Sequence, residues 1–230
     1  MTGVLDRLGW EIRETRPQEG GQPGAVSVEV GRTGGDSVPF RVASVQAKEK
    51  KKHPLPPFIT SKLQQDAVRQ LGFPVAKTMR LAQGLYEGRE IGDAETVGLI
   101  TYMRTDSTNL SDLALEAAEK EISSTFGSEY AQKRTYASKS KGAQEAHEAI
   151  RPTDLAAASV DGSREEQRLY DLIYKRTLAS QIADAKMDKT VAKISVSGRS
   201  EEFVARGEVI TFEGFLKLYL EGTDDEDGVD

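Results

Sequence analysis

The hydrophobic pattern of this chain changes its period twice, and that change constrains the fold more than any other feature. From Thr60 to Asp184, apolar residues recur at the three- and four-residue spacing of amphipathic helices. On both sides of this stretch, apolar and polar residues alternate instead, as they do in half-buried strands. The alternating segments are 25–30, 38–45, 190–196, 203–212 and 215–220. Strand-forming ends therefore flank a helical middle.

The order of these segments predicts an α+β fold with more than one domain. The economical arrangement lets the two strand-forming ends share one sheet. We expect residues 1–53 and 186–222 to form one discontinuous, antiparallel, β-rich domain. Residues 54–185 are then an inserted, mainly helical domain, and the acidic residues 223–230 form a disordered tail.

Two local predictions concern the first strand-forming end. Residues 1–16 are compatible with a short helix. The lysine run KEKKK at 48–52 and the proline-rich HPLPP at 53–57 predict a break in regular structure. We interpret the lysines as a solvated linker, and direct binding of DNA by these lysines is the alternative.

Cap residues mark the expected helix ends. Ser61 with Gln64 fits a capping box, and Gly72 is placed to end the helix that follows. A second helix is expected from Val75 to Tyr86. Later helices are expected at 112–125, capped from the polar run before it, and after Ser163, where Glu166 completes a capping box.

The first two helices are joined by a short Gly-Phe-Pro turn, which gives the stretch 61–87 the look of a helix-turn-helix. Such a pair can set a helix in the major groove of DNA. A non-catalytic DNA-binding module is therefore one hypothesis for this protein. Most helix pairs with short turns are only packing units.

The segment GLITYMRTDST at 98–108 carries the strongest chemical signal. Its β-branched and aromatic residues predict a short strand, whose alternation turns Tyr102 and Arg104 the same way. A protonated phenol is a poor nucleophile, so an attacking tyrosine needs positive charge near its target. Arginine keeps its charge, and its planar fork matches phosphate oxygens. The pair suits attack on a phosphodiester, although a core tyrosine beside a surface arginine would show the same spacing.

His147 lies in a second polar motif, QEAHEAIRPTD at 144–154. This is not the zinc-binding H-E-x-x-H, because arginine stands at the fifth position. An imidazole titrates near neutral pH and can bind a phosphate or move a proton. A surface cluster with Glu145 and Glu148 is the alternative, and Arg151 suits a salt bridge to either acid as well as a DNA contact.

Composition limits the class of protein. The chain has no cysteine, which excludes a disulfide framework and a thiolate zinc site. No apolar run reaches the length of a signal peptide or a membrane span, so we expect a cytoplasmic protein with no membrane partner. Six of the 37 acidic residues lie in 221–230, which leaves 31 acidic against 31 basic residues in 1–220. The net charge of −6 therefore does not argue against a nucleic-acid partner.

Four sequence blocks follow one another in a specific order. They are PPFITSKLQQDAVRQLGF at 56–73, KTMRLAQGLYEG at 77–88, GLITYMRTDSTNLS at 98–111 and QEAHEAIRPTD at 144–154. Together they resemble the central part of bacterial DNA topoisomerase I, a type IA DNA topoisomerase. The resemblance implies that Tyr102 attacks DNA and becomes linked to a 5′ phosphate, with Arg104 as its partner and His147 in support. It also implies DNA contacts for Arg104, Thr105, Ser107 and Arg151.

The resemblance carries further expectations about activity and partners. Type IA topoisomerases are ATP-independent isomerases that relax negatively supercoiled DNA through a transient break in a single strand. They also need Mg²⁺, which an acidic N-terminal domain binds. Residues 1–50 lack a strand-borne D-x-D pair of that kind, so the Mg²⁺ ligands are expected outside this chain.

We therefore expect a fragment that is nearly inactive alone and binds no metal itself. Its expected partners are single-stranded DNA and the missing metal-binding domain, and its expected location is the bacterial nucleoid in the cytoplasm. A monomer is the expected state. A partner-binding module that keeps the fold without the chemistry is the third hypothesis.

Overall fold

The computed structural model groups the chain into two compact units. The described residues are 10–17, 26–32, 37–88, 97–136, 147–196, 200 and 202–220. The first unit draws on residues up to 51 and on 186–211, and the second on 52–185 and on residues from 212 onward. In chain order, most of the second unit lies between the two parts of the first.

A five-stranded sheet makes up the first unit. Its strands are β1 (Trp10–Pro17), β2 (Val26–Arg32), β3 (Ser37–Lys52), β4 (Ala185–Val196) and β5 (Glu202–Phe212). They follow one another across the sheet in chain order. β1 pairs antiparallel with β2, with Trp10 opposite Arg32, and β2 pairs antiparallel with β3. The strands predicted within 25–30, 38–45, 190–196 and 203–212 are confirmed.

Helices build the second unit. α1 (Thr60–Asp66) continues into a π-helical turn (Ala67–Leu71), and the other helices are α2 (Val75–Glu87), α3 (Asp112–Thr125), α4 (Arg164–Gln181) and α5 (Lys217–Leu220). α4 packs against α2, α3 and α5. Its residues Leu169, Ile173 and Leu178 are buried. The core of this unit therefore forms around α4, and the predicted α+β class is confirmed.

Several predicted helix ends are confirmed because their signals are local. Gly72 ends the π-helical turn in the left-handed conformation, with φ +70°. Ser111 caps α3, and its Oγ accepts a hydrogen bond from Ala114 N at 3.4 Å. Ser163 and Glu166 form the predicted capping box at the start of α4.

The capping box predicted from Ser61 and Gln64 is wrong. α1 begins one residue earlier, at Thr60, and its N-cap residue, Ile59, makes no side-chain cap bond. The Thr60 hydroxyl bonds instead to the loop at 103–105. A tertiary contact, rather than a local cap, fixes the start of this helix.

Two expectations for the first strand-forming end are also wrong. β1 occupies a region for which the sequence predicts a short helix. β3 continues through the lysine run to Lys52, so KEKKK is strand rather than linker, and its lysines are exposed. Backbone pairing in a sheet is independent of side chains, and an exposed position keeps the lysine charge in water.

The strand predicted at 215–220 is replaced by a turn and a helix. Gly214–Leu216 forms a 3-10 turn that leads into α5. Gly214 has φ +51°, and a Cβ there would lie 2.5 Å from the carbonyl oxygen of Ala183. Phe215 N donates to the same oxygen at 3.0 Å. This close approach ends the extended path of β5.

Some predicted segments lie outside the described residues. They are Glu145 and the acidic tail at 223–230. After α3, the described residues continue with a 3-10 turn, Ser128–Tyr130. Among the described helices, none combines the length and the apolar character needed to cross a membrane.

Candidate active site

The segment that carries Tyr102 is an irregular loop rather than the predicted strand. An isolated bridge pairs Ile100 with Pro152. One residue before it, Leu99 N donates to the carbonyl oxygen of Leu85 in α2, at 2.8 Å. The backbone partners of this loop therefore come from different elements, and the β-branched run has no single neighbour with which to form a ladder.

Burial nevertheless alternates along the loop from Tyr102 onward. Tyr102 is 42% exposed and Arg104 is exposed, whereas Met103 and Thr105 are 1% and 8% exposed. Ile100, two positions before Tyr102, is also buried, so the alternation does not extend to the start of the segment. Tyr102 and Arg104 thus turn away from the core, and Met103 packs into it.

The ring of Tyr102 packs against α2 through Tyr86. The two ring centroids lie 5.4 Å apart, and the ring planes meet at 67°, which is an edge-to-face arrangement. Such aromatic pairs contribute about 0.5–1.5 kcal/mol beyond the area they bury. The contact restrains one side of the Tyr102 ring and leaves the residue partly exposed.

A cavity of about 370 Å³ brings three of the predicted site residues together. It is lined by Ile59, Thr60, Ser61, Arg104, Thr105, Asp106 and His147. Arg104 and His147 thus line the same cavity, although 43 positions separate them in the chain. Tyr102 is not among the described residues that line it, but stands two positions from Arg104.

A second cavity, of about 440 Å³, shares His147 with the first. Its other lining residues are Thr108, Asn109, Leu110, Ser111, Asp112, Arg134, Thr135, Tyr136 and Glu148. His147 is exposed and separates the two hollows. Hydroxyl, amide and charged groups therefore surround this histidine on both sides.

Glu148 connects the histidine segment to the start of α3. Its Oε1 accepts from Ser111 N at 2.6 Å, and its Oε2 accepts from Arg151 Nη2 at 2.6 Å. Arg151 also donates to the Pro152 carbonyl oxygen at 2.8 Å. Of the two roles left open for Arg151, the structure has the salt bridge to Glu148. The Glu148 carboxylate thus occupies the Ser111 N–H at the N-terminus of α3.

The hydrogen bonds of Glu148 determine its protonation. Burial by itself would raise the pKa of this carboxyl group, because a charge is less stable away from water. The bonds from Arg151 and Ser111 outweigh that penalty and lower the pKa below its usual value. Glu148 is therefore ionised at neutral pH and holds its two partners firmly.

Thr105 and Ser107, for which DNA contacts are also predicted, are largely buried. Thr105 is 8% exposed and Ser107 is 1% exposed. The Thr105 hydroxyl accepts from Ser107 N at 3.0 Å, and the Ser107 hydroxyl accepts from Asn109 N at 3.2 Å. Both hydroxyls bond to backbone N–H groups of their own loop and help to fix its shape. Thr105 also lines the cavity shared by Arg104 and His147.

Comparison with known proteins identifies the family. A family model described as DNA topoisomerase matches residues 30–229, which is most of the chain. The chain belongs to the DNA topoisomerase family. The resemblance to bacterial DNA topoisomerase I, a type IA isomerase, is thereby confirmed.

Individual topoisomerases are similar over most of the chain. DNA topoisomerase 1 of Rickettsia prowazekii (strain Madrid E) is 45% identical over 197 residues, which cover 83% of this chain and 25% of that protein. DNA topoisomerase 1 of Streptomyces coelicolor is 47% identical over 194 residues, which cover 81% of this chain and 19% of that protein. The chain thus spans about a quarter of the length of the curated relatives it matches.

A solved topoisomerase structure has the same fold. The structure of full-length topoisomerase I from Thermotoga maritima superposes with a TM-score of 0.68 at 38% sequence identity. The match covers 78% of this chain and 29% of that one. The helices and antiparallel strands described above are therefore a topoisomerase fold.

The site residues do not fit a Mg²⁺ ion. Mg²⁺ prefers several oxygen ligands, above all carboxylates. The cavity shared by Arg104 and His147 has Asp106 as its one acidic residue. Within the described part of the chain, no three His, Asp or Glu side chains lie close enough together to hold a metal. Among its described lining residues, the cavity therefore lacks the set of carboxylates that Mg²⁺ prefers.

From the sequence, no role at the site was assigned to two residues, Thr60 and Thr101. The hydroxyls of Thr60 and Thr101 each bond to a segment more than 40 positions away in the chain. Capping rules consider neighbours within four residues, so they cannot detect such bonds. The signal available in the sequence was the position of each threonine inside a family motif.

Proposed function

We propose that this chain carries the strand-cleaving tyrosine of a type IA DNA topoisomerase and that Tyr102 is the nucleophile. The observation that carries the proposal is the shared cavity of Arg104 and His147, which begins two residues from an exposed tyrosine. Membership of the topoisomerase family supports the same assignment. The activity belongs to the whole enzyme, of which this chain resembles the central part.

In the proposed reaction, the phenolic oxygen of Tyr102 attacks a backbone phosphorus of single-stranded DNA. A phosphorus–oxygen bond forms to the tyrosine, and the bond to the 3′ oxygen breaks, which leaves a free 3′ hydroxyl. The phenolic proton leaves as the new bond forms. A second strand passes through the break, and the 3′ hydroxyl then attacks the phosphotyrosine and restores the original bond. Negatively supercoiled DNA relaxes without ATP, because the phosphotyrosine conserves the bond energy.

Arg104 supplies the positive charge that this reaction needs. Charge develops on the phosphate oxygens during attack, and a fixed cation beside them lowers the barrier. Within the described part of the chain, no hydrogen bond or ion pair engages the Arg104 side chain, whereas Arg151 is bound to Glu148. Arg104 is therefore the arginine that remains available to a phosphate.

His147 lines the same cavity as Arg104 and supports the same phosphate. It is exposed and lines both hollows. As an imidazolium it adds a second positive charge, and as a neutral ring it can accept the phenolic proton. Both roles are proposals, and they require that DNA enter the cavity.

The remaining features of the proposed enzyme concern its other parts. We place the Mg²⁺ ligands in an acidic domain outside this chain, because the described residues hold no cluster of His, Asp and Glu side chains that could bind the ion. The helical unit is an inserted domain of a discontinuous β-rich domain. The chain acts as a monomer on single-stranded DNA in the bacterial cytoplasm.

A pair of arginine variants tests this proposal against a binding module that uses α1 and α2. Arg104 lies on the Tyr102 loop, and Arg80 is exposed on α2. We expect Arg104→Ala to weaken the binding of a fluorescent single-stranded oligonucleotide about tenfold, because an ion contact to phosphate is lost. Arg80→Ala should bind as the original chain does.

The opposite pattern would overturn the proposal. If Arg80→Ala abolished binding to duplex DNA while Arg104→Ala changed nothing, the helix pair would be the DNA-binding element. Fluorescence anisotropy with matched single-stranded and duplex probes separates the two cases.

A further inference from the structure

A threonine hydroxyl holds the Tyr102 loop at the tyrosine end. The Thr101 Oγ1 donates to the carbonyl oxygen of Ala149 at 2.6 Å and accepts from Arg151 N at 3.0 Å. Thr101 N also donates to the Arg151 carbonyl oxygen at 2.9 Å. Thr101 directly precedes Tyr102, and its bonds therefore hold the tyrosine end of the loop to the segment that follows His147.

A second threonine hydroxyl holds the same loop at the arginine end. The Thr60 Oγ1 donates to the carbonyl oxygen of Met103 at 2.8 Å, lies 3.0 Å from that of Thr105, and accepts from Thr105 N at 2.9 Å. Thr60 N donates to the Thr105 carbonyl oxygen at 2.9 Å. Arg104 stands between the two residues that Thr60 binds.

Each hydroxyl does something that a methyl group of the same size cannot. It accepts from one backbone N–H and donates to one backbone carbonyl, so it replaces the partners that a strand would have supplied. The loop from Thr101 to Thr105, which both hydroxyls contact, is not part of a strand ladder. The backbone geometry around Tyr102 and Arg104 therefore depends on these side-chain hydrogen bonds.

We propose that Thr60 and Thr101 are positioning residues for strand cleavage, with Thr101 fixing the direction of Tyr102 and Thr60 that of Arg104. This inference rests on the proposed function. Thr60 also lines the first cavity. The positioning role of each threonine is carried by its bonds to the backbone beside a reacting residue.

A double-mutant cycle tests Thr60. We expect Thr60→Val to weaken the binding of a fluorescein-labelled oligothymidylate about fivefold, since losing a buried hydrogen bond displaces Arg104. Thr60→Ser keeps the hydroxyl and should bind within about twofold of the original chain. Combined with Arg104→Ala, Thr60→Val should cause no further loss, because it acts through Arg104.

Two outcomes would overturn the role of Thr60. One is that Thr60→Val binds normally while Arg104→Ala binds weakly. The other is that the double variant loses the product of the two single effects, which would indicate a structural role independent of Arg104. If Arg104→Ala itself binds normally, the proposed phosphate role of Arg104 fails first, and the Thr60 inference falls with it.

The role of Thr101 is tested by the rate at which the chain forms a covalent adduct with a single-stranded oligonucleotide. The reaction contains Mg²⁺ and a separately supplied metal-binding domain of a type IA topoisomerase. Thr101→Val should form adduct on the order of 100-fold more slowly, with unchanged affinity for the oligonucleotide, because a displaced nucleophile affects the rate of attack. Thr101→Ser should restore most of the rate. Amide hydrogen exchange of Arg151 should be faster in Thr101→Val alone.

An unchanged adduct rate in Thr101→Val, with faster exchange at Arg151, would contradict the inference. It would show that the hydrogen bond from Arg151 N to the Thr101 hydroxyl exists but does not position Tyr102. Failure of Thr101→Ser to recover the rate would also contradict the inference. If the original chain forms no adduct, the proposed function fails instead, and that result is distinct from either outcome for Thr101.

Discussion

At the scale of single residues, the charged groups near the Tyr102 loop divide into engaged and available ones. Glu148 and Arg151 are bound to each other and to the backbone. Arg104 and His147 make no side-chain hydrogen bond or ion pair within the described stretches of the chain. Substitutions in the first pair should affect stability, and substitutions in the second should affect DNA binding.

Glu148→Gln should destabilise the protein at neutral pH by about 1–2 kcal/mol, because hydrogen bonds to an ionised group are lost in a partly exposed site. The pKa of Glu148 is lowered in the folded state. Its contribution is therefore full above the unfolded pKa and disappears as the pH falls through the folded pKa. Urea unfolding at a series of pH values from 7 downward measures both the effect and its loss.

Glu116→Gln is the matched control, because Glu116 is exposed on α3. It should change stability by less than about 0.5 kcal/mol throughout the series. A Glu148→Gln variant as stable as the original chain at pH 7 would contradict the assigned role of the carboxylate.

At the scale of elements, α4 organises the helical unit. Ile173 lies at its centre with 0% of its surface exposed. Ile173→Ala should destabilise the unit by about 2–5 kcal/mol, since a large aliphatic side chain leaves a cavity in a packed core. Thermal unfolding monitored by the helical circular dichroism signal measures this loss.

Leu113 on α3 provides the control, because it is 79% exposed. Leu113→Ala removes a similar side chain from water-exposed surface and should cost less than about 0.5 kcal/mol. Equal losses for the two variants would show that α4 is not the core of the unit.

The elements that the sequence predicted correctly are those with local signals. Ser111 and Ser163 each bond within three residues of their own position, so capping rules found α3 and α4. α1 and the loop at 98–108 depend on Thr60 and Thr101, whose partners lie far away in the chain. Local rules therefore missed the start of the first and predicted a strand for the second.

The sequence predicted part of the geometry of the candidate site. Alternation predicted that Tyr102 and Arg104 point the same way, and the structure has both exposed. The burial of Thr105 and Ser107, for which the family motif implied DNA contacts, was not predicted. The direction of a hydroxyl depends on the backbone groups around it, which the sequence does not reveal.

At the scale of the whole molecule, charge and length limit what this chain does. Its basic and acidic residues balance up to position 220, so attraction to DNA must come from local groups such as Arg104 and His147. The chain spans about a quarter of its curated relatives, and its described residues form no metal cluster. Under the proposed function, the chain supplies Tyr102, Arg104 and His147, and the Mg²⁺ ligands belong to another part of the enzyme.

The most direct measurement of the central claim is a covalent-adduct assay on Tyr102. A labelled single-stranded oligonucleotide is incubated with this chain, Mg²⁺ and a separately supplied acidic metal-binding domain from a type IA topoisomerase, then quenched in denaturant. Tyr86→Phe is the matched control, because Tyr86 is the neighbouring partly exposed tyrosine and phenylalanine keeps the ring contact.

We predict an adduct with the original chain and with Tyr86→Phe, and none with Tyr102→Phe. Omission of the metal-binding domain should abolish the adduct as well. An adduct that persists in Tyr102→Phe, or its absence from a folded original chain that binds duplex DNA tightly, would contradict the assignment of Tyr102 as the nucleophile.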